Sequence, residues 1–450
     1  MRKYLFAALV SLLLLTGCDN EIFSGYHVKP DGENPNQQTE TEAVQSTAQP
    51  TAADNADIQP ISYDTSWKPA DPALGLPALN LGMTTEDMVK RAVLQKGNRA
   101  RLAAVMKKAQ NKEHVTIGYI GGSITQGSGA SGSDESYFYR SSMWWAKAFP
   151  ENASNFEYIN AGIGSTGSYI GVHRLEHDLL AKKPDLVIVE FSVNDTDPVR
   201  DLESYDALVR NILRQPNDPA VILLFMTQED GTSLADTHRT VGEAYGLPMI
   251  SYRDAVLPEI RSGAFTWQDI SPDNIHPNSK GHGIAAELLW QYYDSVLADL
   301  GNISTGDTAF TAEPVGTDKY QNAVLLTSDG LTPDDMAGFD NADVSTQFPG
   351  NWKTDTAGEI TFSVKATNIG IFFQRTTDGK SGQYEVLVDG EKTAVLNGNF
   401  PNGWGNYAEA QEVYAGTDGP HTVTLKRSAD SSANGFGLIG LLLSGGKLTG

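Results

Sequence analysis

The sequence predicts an α/β domain, with a parallel sheet between two layers of helices, followed by an antiparallel β-sandwich. Five short apolar runs between residues 115 and 252 alternate with stretches of helical periodicity. After about residue 303 the pattern changes to alternating, β-branched segments separated by turns, with no long helical stretch. A chain of 450 residues is long enough for two such domains.

The apolar runs have the length and composition of buried parallel strands. Helix-like stretches connect them, so right-handed crossovers would place helices on both faces of the sheet. A helical pattern over residues 84–114 precedes the first run, and residues 280–300 form a last helix. The predicted strands are VTIGYIG (115–121), FEYINAG (156–162), DLVIVEFS (185–192), AVILLFMT (220–227) and LPMISY (247–252).

The C-terminal region, residues 303–450, predicts a jelly-roll-like sandwich. Its segments GQYEVLVDGEKTAVL and HTVTLKRS alternate in polarity and are flanked by DG and GPH turns. The glycine- and asparagine-rich loop NFPNGWGNYAEA carries Trp404 and Tyr407. These two aromatic rings are candidates for stacking on a sugar, and a place in the sandwich core is the alternative for each ring.

The N-terminus predicts export with a lipid anchor. Arg2 and Lys3 precede an apolar stretch that is too short for a comfortable transmembrane span. The following LLTGC resembles a bacterial lipobox, which implies that residues 1–18 are a lipoprotein signal peptide with lipid attached to Cys18. An ordinary signal peptide is the alternative. We expect an exported protein, held on the cell envelope and facing outwards.

The next segment, residues 19–75, predicts a disordered polar tether. It is rich in Gln, Thr, Glu, Asp, Pro and Ala and lacks a periodic apolar face. The α/β domain then extends over residues 76–302. The membrane is therefore expected as a partner only through the anchor.

Charge and cysteine content exclude several classes of function. A net charge of −23 argues against a nucleic-acid partner and against adhesion to anionic lipid, since both need a basic surface. The single cysteine excludes an intramolecular disulfide, a thiol-rich zinc site and an iron–sulfur cluster. A neutral substrate fits this composition best.

Polar and glycine residues follow several of the predicted strands, at the edge where an α/β sheet binds its ligands. Ser123 follows the first strand in GGSIT, where Gly121 and Gly122 would leave space for a substrate to reach its hydroxyl and N–H. The alternative is a purely structural role, in which Ser123 caps the following helix. Gly164 lies in a glycine-rich turn after the second strand, and Asn194 follows the third in SVND.

A candidate base and its partner lie in the loop before the last helix. Asp273 and His276 are three residues apart, so their side chains can point the same way, and the carboxylate can hold the imidazole with its other nitrogen towards Ser123. Pro277 disfavours helical structure at His276 and keeps the pair on a loop.

Taken together, GGSIT, GIGSTG, SVND and DNIH resemble the four sequence blocks of the SGNH (GDSL-like) hydrolase family over about residues 80 to 300. One departure is Gly122, where the family usually has an aspartate. The resemblance implies a three-layer α/β/α, flavodoxin-like domain that hydrolyses carboxylic esters through an acyl-enzyme, with no metal or other cofactor.

The resemblance also assigns roles to residues of this chain. Ser123 would be the nucleophile, His276 the general base and Asp273 its acid partner. The N–H groups of Ser123 and Gly164 and the amide of Asn194 would form the oxyanion hole. An SGNH domain joined to a β-sandwich resembles polysaccharide acetylesterases with a carbohydrate-binding module, so we expect an acetylated glycan, of xylan or mannan type, as the substrate.

Other functions remain open at this stage. A lipase, lysophospholipase or thioesterase would use the same fold, and a non-enzymatic glycan-binding lipoprotein would keep only the sandwich function. HRLEH (173–177) also matches the inverted zinc-peptidase pattern, with His173 and His177 on one helical face. No third zinc ligand can be identified, and activity that survives EDTA would exclude this alternative.

Overall fold

The computed structural model describes residues 82–306 and 308–445, which all belong to one compact unit. The predicted signal peptide with Cys18 and the predicted tether over 19–75 lie outside the described residues. In the part of the chain that the structure describes, no helix has the length and apolar character needed to cross a membrane.

The first domain is built on a parallel sheet. Within the described residues its strands lie in the order β1-β6-β5-β4-β2-β3, all parallel except for the antiparallel edge strand β1. The five predicted strands correspond to β2–β6. The strands are β1 Val93–Gln95, β2 Val115–Gly121, β3 Phe156–Gly162, β4 Leu186–Glu190, β5 Ala220–Phe225 and β6 Met249–Ser251.

Strand β1 corrects the prediction of continuous helical structure over 84–114. Two helices flank the strand, and the chain turns at Gly97, whose φ is +60°. A Cβ at Gly97 would lie 2.3 Å from the backbone nitrogen of Pro248, so only glycine allows the chain to pass this close to β6. Asn98 then accepts a hydrogen bond from the N–H of Ala100, the first residue of the next helix.

Helices cover both faces of the sheet and confirm the three-layer α/β/α prediction. Helices α1, α2, α4, α8 and α9 contribute to the apolar cluster on one face, and α5, α6 and α7 contribute to the cluster on the other. The helices are α1 Glu86–Ala92, α2 Ala100–Gln110, α3 Ser123–Gln126, α4 Tyr137–Ala148, α5 Ser168–Asp178, α6 Arg200–Leu213, α7 Ala235–Ala244, α8 Tyr252–Ser262 and α9 Ser279–Ala298.

The second domain is an antiparallel β-structure, in agreement with the predicted sandwich. Among the described residues its strands run in the order β13-β12-β14-β11-β15-β10-β9, while β7 pairs with β15 and β8 with β11. The strands are β7 Val324–Leu326, β8 Asp335–Ala337, β9 Asp340–Asn341, β10 Trp352–Thr354, β11 Glu359–Arg375, β12 Gln383–Val388, β13 Glu391–Asn397, β14 Tyr407–Arg427 and β15 Phe436–Ser444.

The two domains share an apolar core. The first half of β11 alternates in burial, as expected for a strand with one solvated face, whereas its second half is buried throughout. Ile371 faces the sandwich interior, and Phe372 joins the cluster that also contains helix α5. A Cβ at Gly370 would lie 2.2 Å from the Tyr169 hydroxyl oxygen, so glycine permits this close domain contact.

Candidate active site

Ser123 lies where the sequence places it, at the carboxyl end of β2 and at the first position of the short helix α3. Its side chain is almost fully buried. The preceding glycines make space for the protein itself and not for a substrate, which corrects the expectation for them. A Cβ at Gly122 would lie 2.1 Å from Oδ1 of Asn194, and one at Gly121 would lie 2.1 Å from Oγ1 of Thr125.

The structure joins the predicted triad residues by hydrogen bonds. The Oγ atom of Ser123 lies 3.0 Å from Nε2 of His276, and Nδ1 of His276 lies 2.8 Å from Oδ2 of Asp273. These three side chains come from the end of β2 and from the loop before α9. The geometry allows the imidazole to take a proton from Ser123 while the carboxylate holds the ring.

The loop that carries the pair is fixed by its own hydrogen bonds. Oδ1 of Asp273 accepts the backbone N–H groups of Ile275 and His276, both at 2.7 Å, and Ser271 donates to the carbonyls of Asp273 and His276. Burial alone would raise the pKa of the Asp273 carboxyl, but the His276 ring and these N–H groups hold that pKa below its ordinary value. Asp273 is therefore a carboxylate in neutral solution.

Asn194 packs against Gly122, the residue before Ser123, as expected for an oxyanion donor. Its Oδ1 is buried against Gly122 without a hydrogen-bond partner, and its Nδ2 likewise makes no hydrogen bond with the residues that the structure describes. A free amide N–H next to the serine is the group that a tetrahedral oxyanion needs. Together with the backbone N–H of Ser123, this amide provides two donors.

Gly164 differs from the expectation in this structure. Its N–H, the predicted third donor, gives its hydrogen bond to Oε1 of Gln126, the last residue of α3, at 2.8 Å. The N–H becomes available to an oxyanion only after Gln126 releases it. Sequence reasoning missed Gln126, because its contact with Gly164 depends on how α3 packs against the end of β3.

Asp195 and His238 form a buried pair behind the oxyanion donors. The Asp195 carboxylate accepts the N–H of Ser168 at 2.7 Å and lies 2.9 Å from Nε2 of His238. The His238 ring stacks on Tyr205, with 3.7 Å between ring centres. Asp195 thereby ties the Asn194 loop to the start of α5, which follows the Gly164 loop.

The histidines of HRLEH do not form a paired ligand site. His173 is buried, with Nδ1 2.7 Å from the carbonyl oxygen of Tyr169, and burial lowers its pKa to about 4. His177 is exposed, and its Nδ1 contacts Asp178. Across residues 82–306 and 308–445, no group of three or more His, Cys, Asp and Glu side chains has a metal-binding arrangement.

The predicted glycan contacts of the sandwich loop are corrected in part. Tyr407 is buried, and its hydroxyl bonds to Arg375 and Glu409, so its ring has no free face for a sugar. Trp404 is half-buried and packs against Tyr407, with 5.0 Å between ring centres. A different sandwich segment approaches the site: a Cβ at Gly164 would lie 3.7 Å from Nε2 of Gln347, in the loop before β10.

A serine hydroxyl, an imidazole and a carboxylate joined in this order, at the carboxyl end of a parallel sheet, define a serine hydrolase. Residues 119–284 match the model of the GDSL-like Lipase/Acylhydrolase family. The protein is thus an SGNH-type serine esterase.

The similarity to solved structures extends through both domains. A two-domain esterase active on acetylated mannans, co-crystallised with mannopentaose, is 29% identical with a TM-score of 0.72. The match covers 80% of this chain and 99% of that chain. A second crystal structure of a two-domain esterase active on acetylated mannans gives the same values. The comparison with curated proteins gives no significant match.

Proposed function

We propose that this protein removes O-acetyl groups from mannan-type polysaccharides or oligosaccharides. The observation that carries the proposal is the similarity, through both domains, to an esterase active on acetylated mannans. The Ser123–His276–Asp273 arrangement supplies the chemistry for ester cleavage. The net charge of −23 favours an uncharged glycan over an anionic one, because like charges repel.

The reaction proceeds in two steps through Ser123. His276 takes the serine proton while Oγ attacks the acetyl carbonyl, and the oxyanion binds the N–H of Ser123 and Nδ2 of Asn194. The tetrahedral intermediate collapses, His276 gives its proton to the leaving glycan hydroxyl, and acetyl-Ser123 remains. Water, activated by His276, then releases acetate and restores the serine hydroxyl.

We expect Asn194→Ala to lower kcat about 100- to 1,000-fold, equal to roughly 3–4 kcal/mol of transition-state stabilisation. The free Nδ2 contacts the oxyanion only as charge develops, so KM changes little. Steady-state kinetics on p-nitrophenyl acetate measures this effect. Asn302→Ala is the matched control, since the Asn302 amide bonds only to the exposed Asp299. A fall below fivefold, or a loss confined to KM, would remove Asn194 from the oxyanion hole.

The substrate class is tested by acetate release from acetylated glucomannan, galactomannan and xylan, together with p-nitrophenyl esters of increasing chain length. We expect the mannans to be deacetylated fastest, and acetyl to exceed octanoyl at least about tenfold in kcat/KM, because one misfitting methylene already costs about 1–3 kcal/mol. A preference for long acyl chains would favour a lipase, lysophospholipase or thioesterase. Hydrolysis that persists unchanged in Ser123→Ala would favour a glycan-binding lipoprotein or another nucleophile.

The expected anchor at Cys18 complements this proposal. A lipid on Cys18 would hold the enzyme at the envelope surface, and the polar segment over 19–75 would let the folded domains reach an insoluble or soluble glycan outside the cell. Mature protein released into the soluble fraction by Cys18→Ser, and retained on membranes in the wild type, would support this location.

A further inference from the structure

Glu190 is a buried carboxyl on β4, the strand next to the one that leads to the nucleophile, and the reaction above does not use it. It ends β4 and is fully buried, and it pairs in register with Gly121 of β2, two residues before Ser123. Its backbone oxygen would lie 2.4 Å from a Cβ at Gly121. The end of β4 therefore forms part of the base on which α3 rests.

The carboxyl has too few partners for a buried negative charge. Oε1 accepts the N–H and the hydroxyl of Ser192 at 3.1 and 3.2 Å, whereas Oε2 has no hydrogen-bond partner in the described part of the chain. No ion pair joins Glu190 to a described basic residue. A buried carboxylate without a cation is costly, and the group avoids that cost by holding its proton.

The surroundings of Glu190 raise the pKa of its carboxyl on balance. Burial raises the pKa of Glu190 to about 8, and the negative charge of Asp195, five residues later, adds to the rise. Tyr137 from α4 and Tyr205 from α6 also face it, and Glu190 contributes to the raised pKa of both phenols. The two Ser192 hydrogen bonds and the Thr125 hydroxyl oppose the rise.

Thr125 connects this carboxyl to the nucleophile. It lies in the same helical turn as Ser123, and its Oγ1 is 2.8 Å from the Tyr137 hydroxyl oxygen. The Thr125 hydroxyl is near enough to the Glu190 carboxyl to lower its pKa. A protonated carboxyl can turn its O–H towards this hydroxyl, which would link β4 through α3 to α4. An ionised Glu190 cannot donate and draws the hydroxyl hydrogens towards itself, which changes the support of α3.

We propose that Glu190 is a positioning residue whose neutral carboxyl supports the helical turn carrying Ser123, so that loss of its proton displaces the nucleophile and lowers activity in alkaline solution. This inference rests on the proposed hydrolysis through Ser123. It is independent of which acetylated glycan the enzyme uses.

The test compares pH profiles of wild type and Glu190→Gln on p-nitrophenyl acetate, with the rate of Ser123→Ala subtracted as background. Above pH 8 the wild-type kcat/KM should fall about tenfold per pH unit, because only the neutral form is active. Glutamine mimics the neutral acid, so Glu190→Gln should match wild type at pH 7 and show no such decline. Glu157→Gln, near the start of β3 and so at the opposite end of the sheet, is the matched control and should keep the wild-type profile.

Stability supplies a second readout that does not require activity. A carboxyl whose folded-state pKa lies above its unfolded value contributes stability that is present at low pH and is lost as the pH rises towards about 8. The Tm advantage of Glu190→Gln over wild type should therefore grow between pH 5 and pH 8.

The outcomes separate this inference from the proposed function. An active wild type with the same alkaline decline in Glu190→Gln, or a loss above tenfold in Glu190→Gln at pH 7, would overturn the inference alone. A wild type without hydrolysis at any pH would overturn the proposed function and the inference with it.

Discussion

Ser123→Ala lowers kcat for p-nitrophenyl acetate by at least about 10⁴-fold, to the level that the oxyanion donors and substrate binding supply without a nucleophile. The reason is geometric. Ser123 is the hydroxyl within 3.0 Å of the His276 imidazole, so no acetyl-enzyme can form without it. The variant keeps its fold because one buried side-chain oxygen is removed and the backbone of α3 keeps its hydrogen bonds. Steady-state kinetics and the Tm measure the two effects.

A fluorophosphonate reacts covalently with an activated serine, so the peptide that it labels identifies the nucleophile directly. Mass spectrometry of wild type should show one phosphonylated peptide containing Ser123, and Ser123→Ala should remain unmodified. Ser262→Ala is the matched serine replacement, since its hydroxyl only bonds back to the carbonyl of Glu259 at the exposed end of α8. Labelling of Ser123→Ala at an undiminished rate would show that another residue attacks the ester.

His276→Ala should cause a loss of similar size, about 10⁴-fold or more in kcat near pH 7. Without the imidazole the serine hydroxyl has no base within hydrogen-bond reach among the described residues, and the leaving alcohol loses its proton donor. The vacated ring space lies between Asp273 and Ser123, so added imidazole should restore part of the activity. Kinetics with and without imidazole measure both expectations.

His177→Ala is the matched control for the histidine variant, and it should retain full activity because this side chain is exposed on α5. The activity of the wild type and of His177→Ala should survive EDTA. A large loss in His177→Ala that zinc reverses would instead support the zinc-peptidase alternative raised by HRLEH. Wild-type rates in His276→Ala would remove this residue from the reaction.

The sequence predicted what depends on local pattern. Strands β2–β6 are apolar runs of the right length, and Ser123, Asn194 and the Asp273–His276 pair follow strands or precede the last helix, where parallel topology collects them. Strand β1 escaped prediction because three residues at an antiparallel edge carry little periodicity. The strand can form because Gly97, which has no side chain, lets the backbone lie against Pro248, the residue before β6.

The supporting contacts could not be derived in the same way. The Gln126–Gly164, Ser168–Asp195 and Asp195–His238 bonds join residues that are 27 to 43 positions apart in the sequence, and only the packed loops bring them together. Glu190 did leave a signal, since a carboxylate inside the otherwise apolar run LVIVEF must be buried with the strand. The space at the glycines before Ser123 belongs to the protein and not to a substrate: Asn194, after the end of β4, fills it at Gly122, and Thr125 of α3 fills it at Gly121.

The shared core between the domains has a consequence for biosynthesis. Ile439 and Leu442 of β15, the last strand of the described chain, pack in the same cluster as Val172 and Leu175 of α5. During translation the face of the α/β domain formed by α5 therefore stays open until β15 has been synthesised. Its apolar surface is a target for chaperones throughout that interval, so the catalytic domain completes its core only together with the β-structure and not as an early, independent unit.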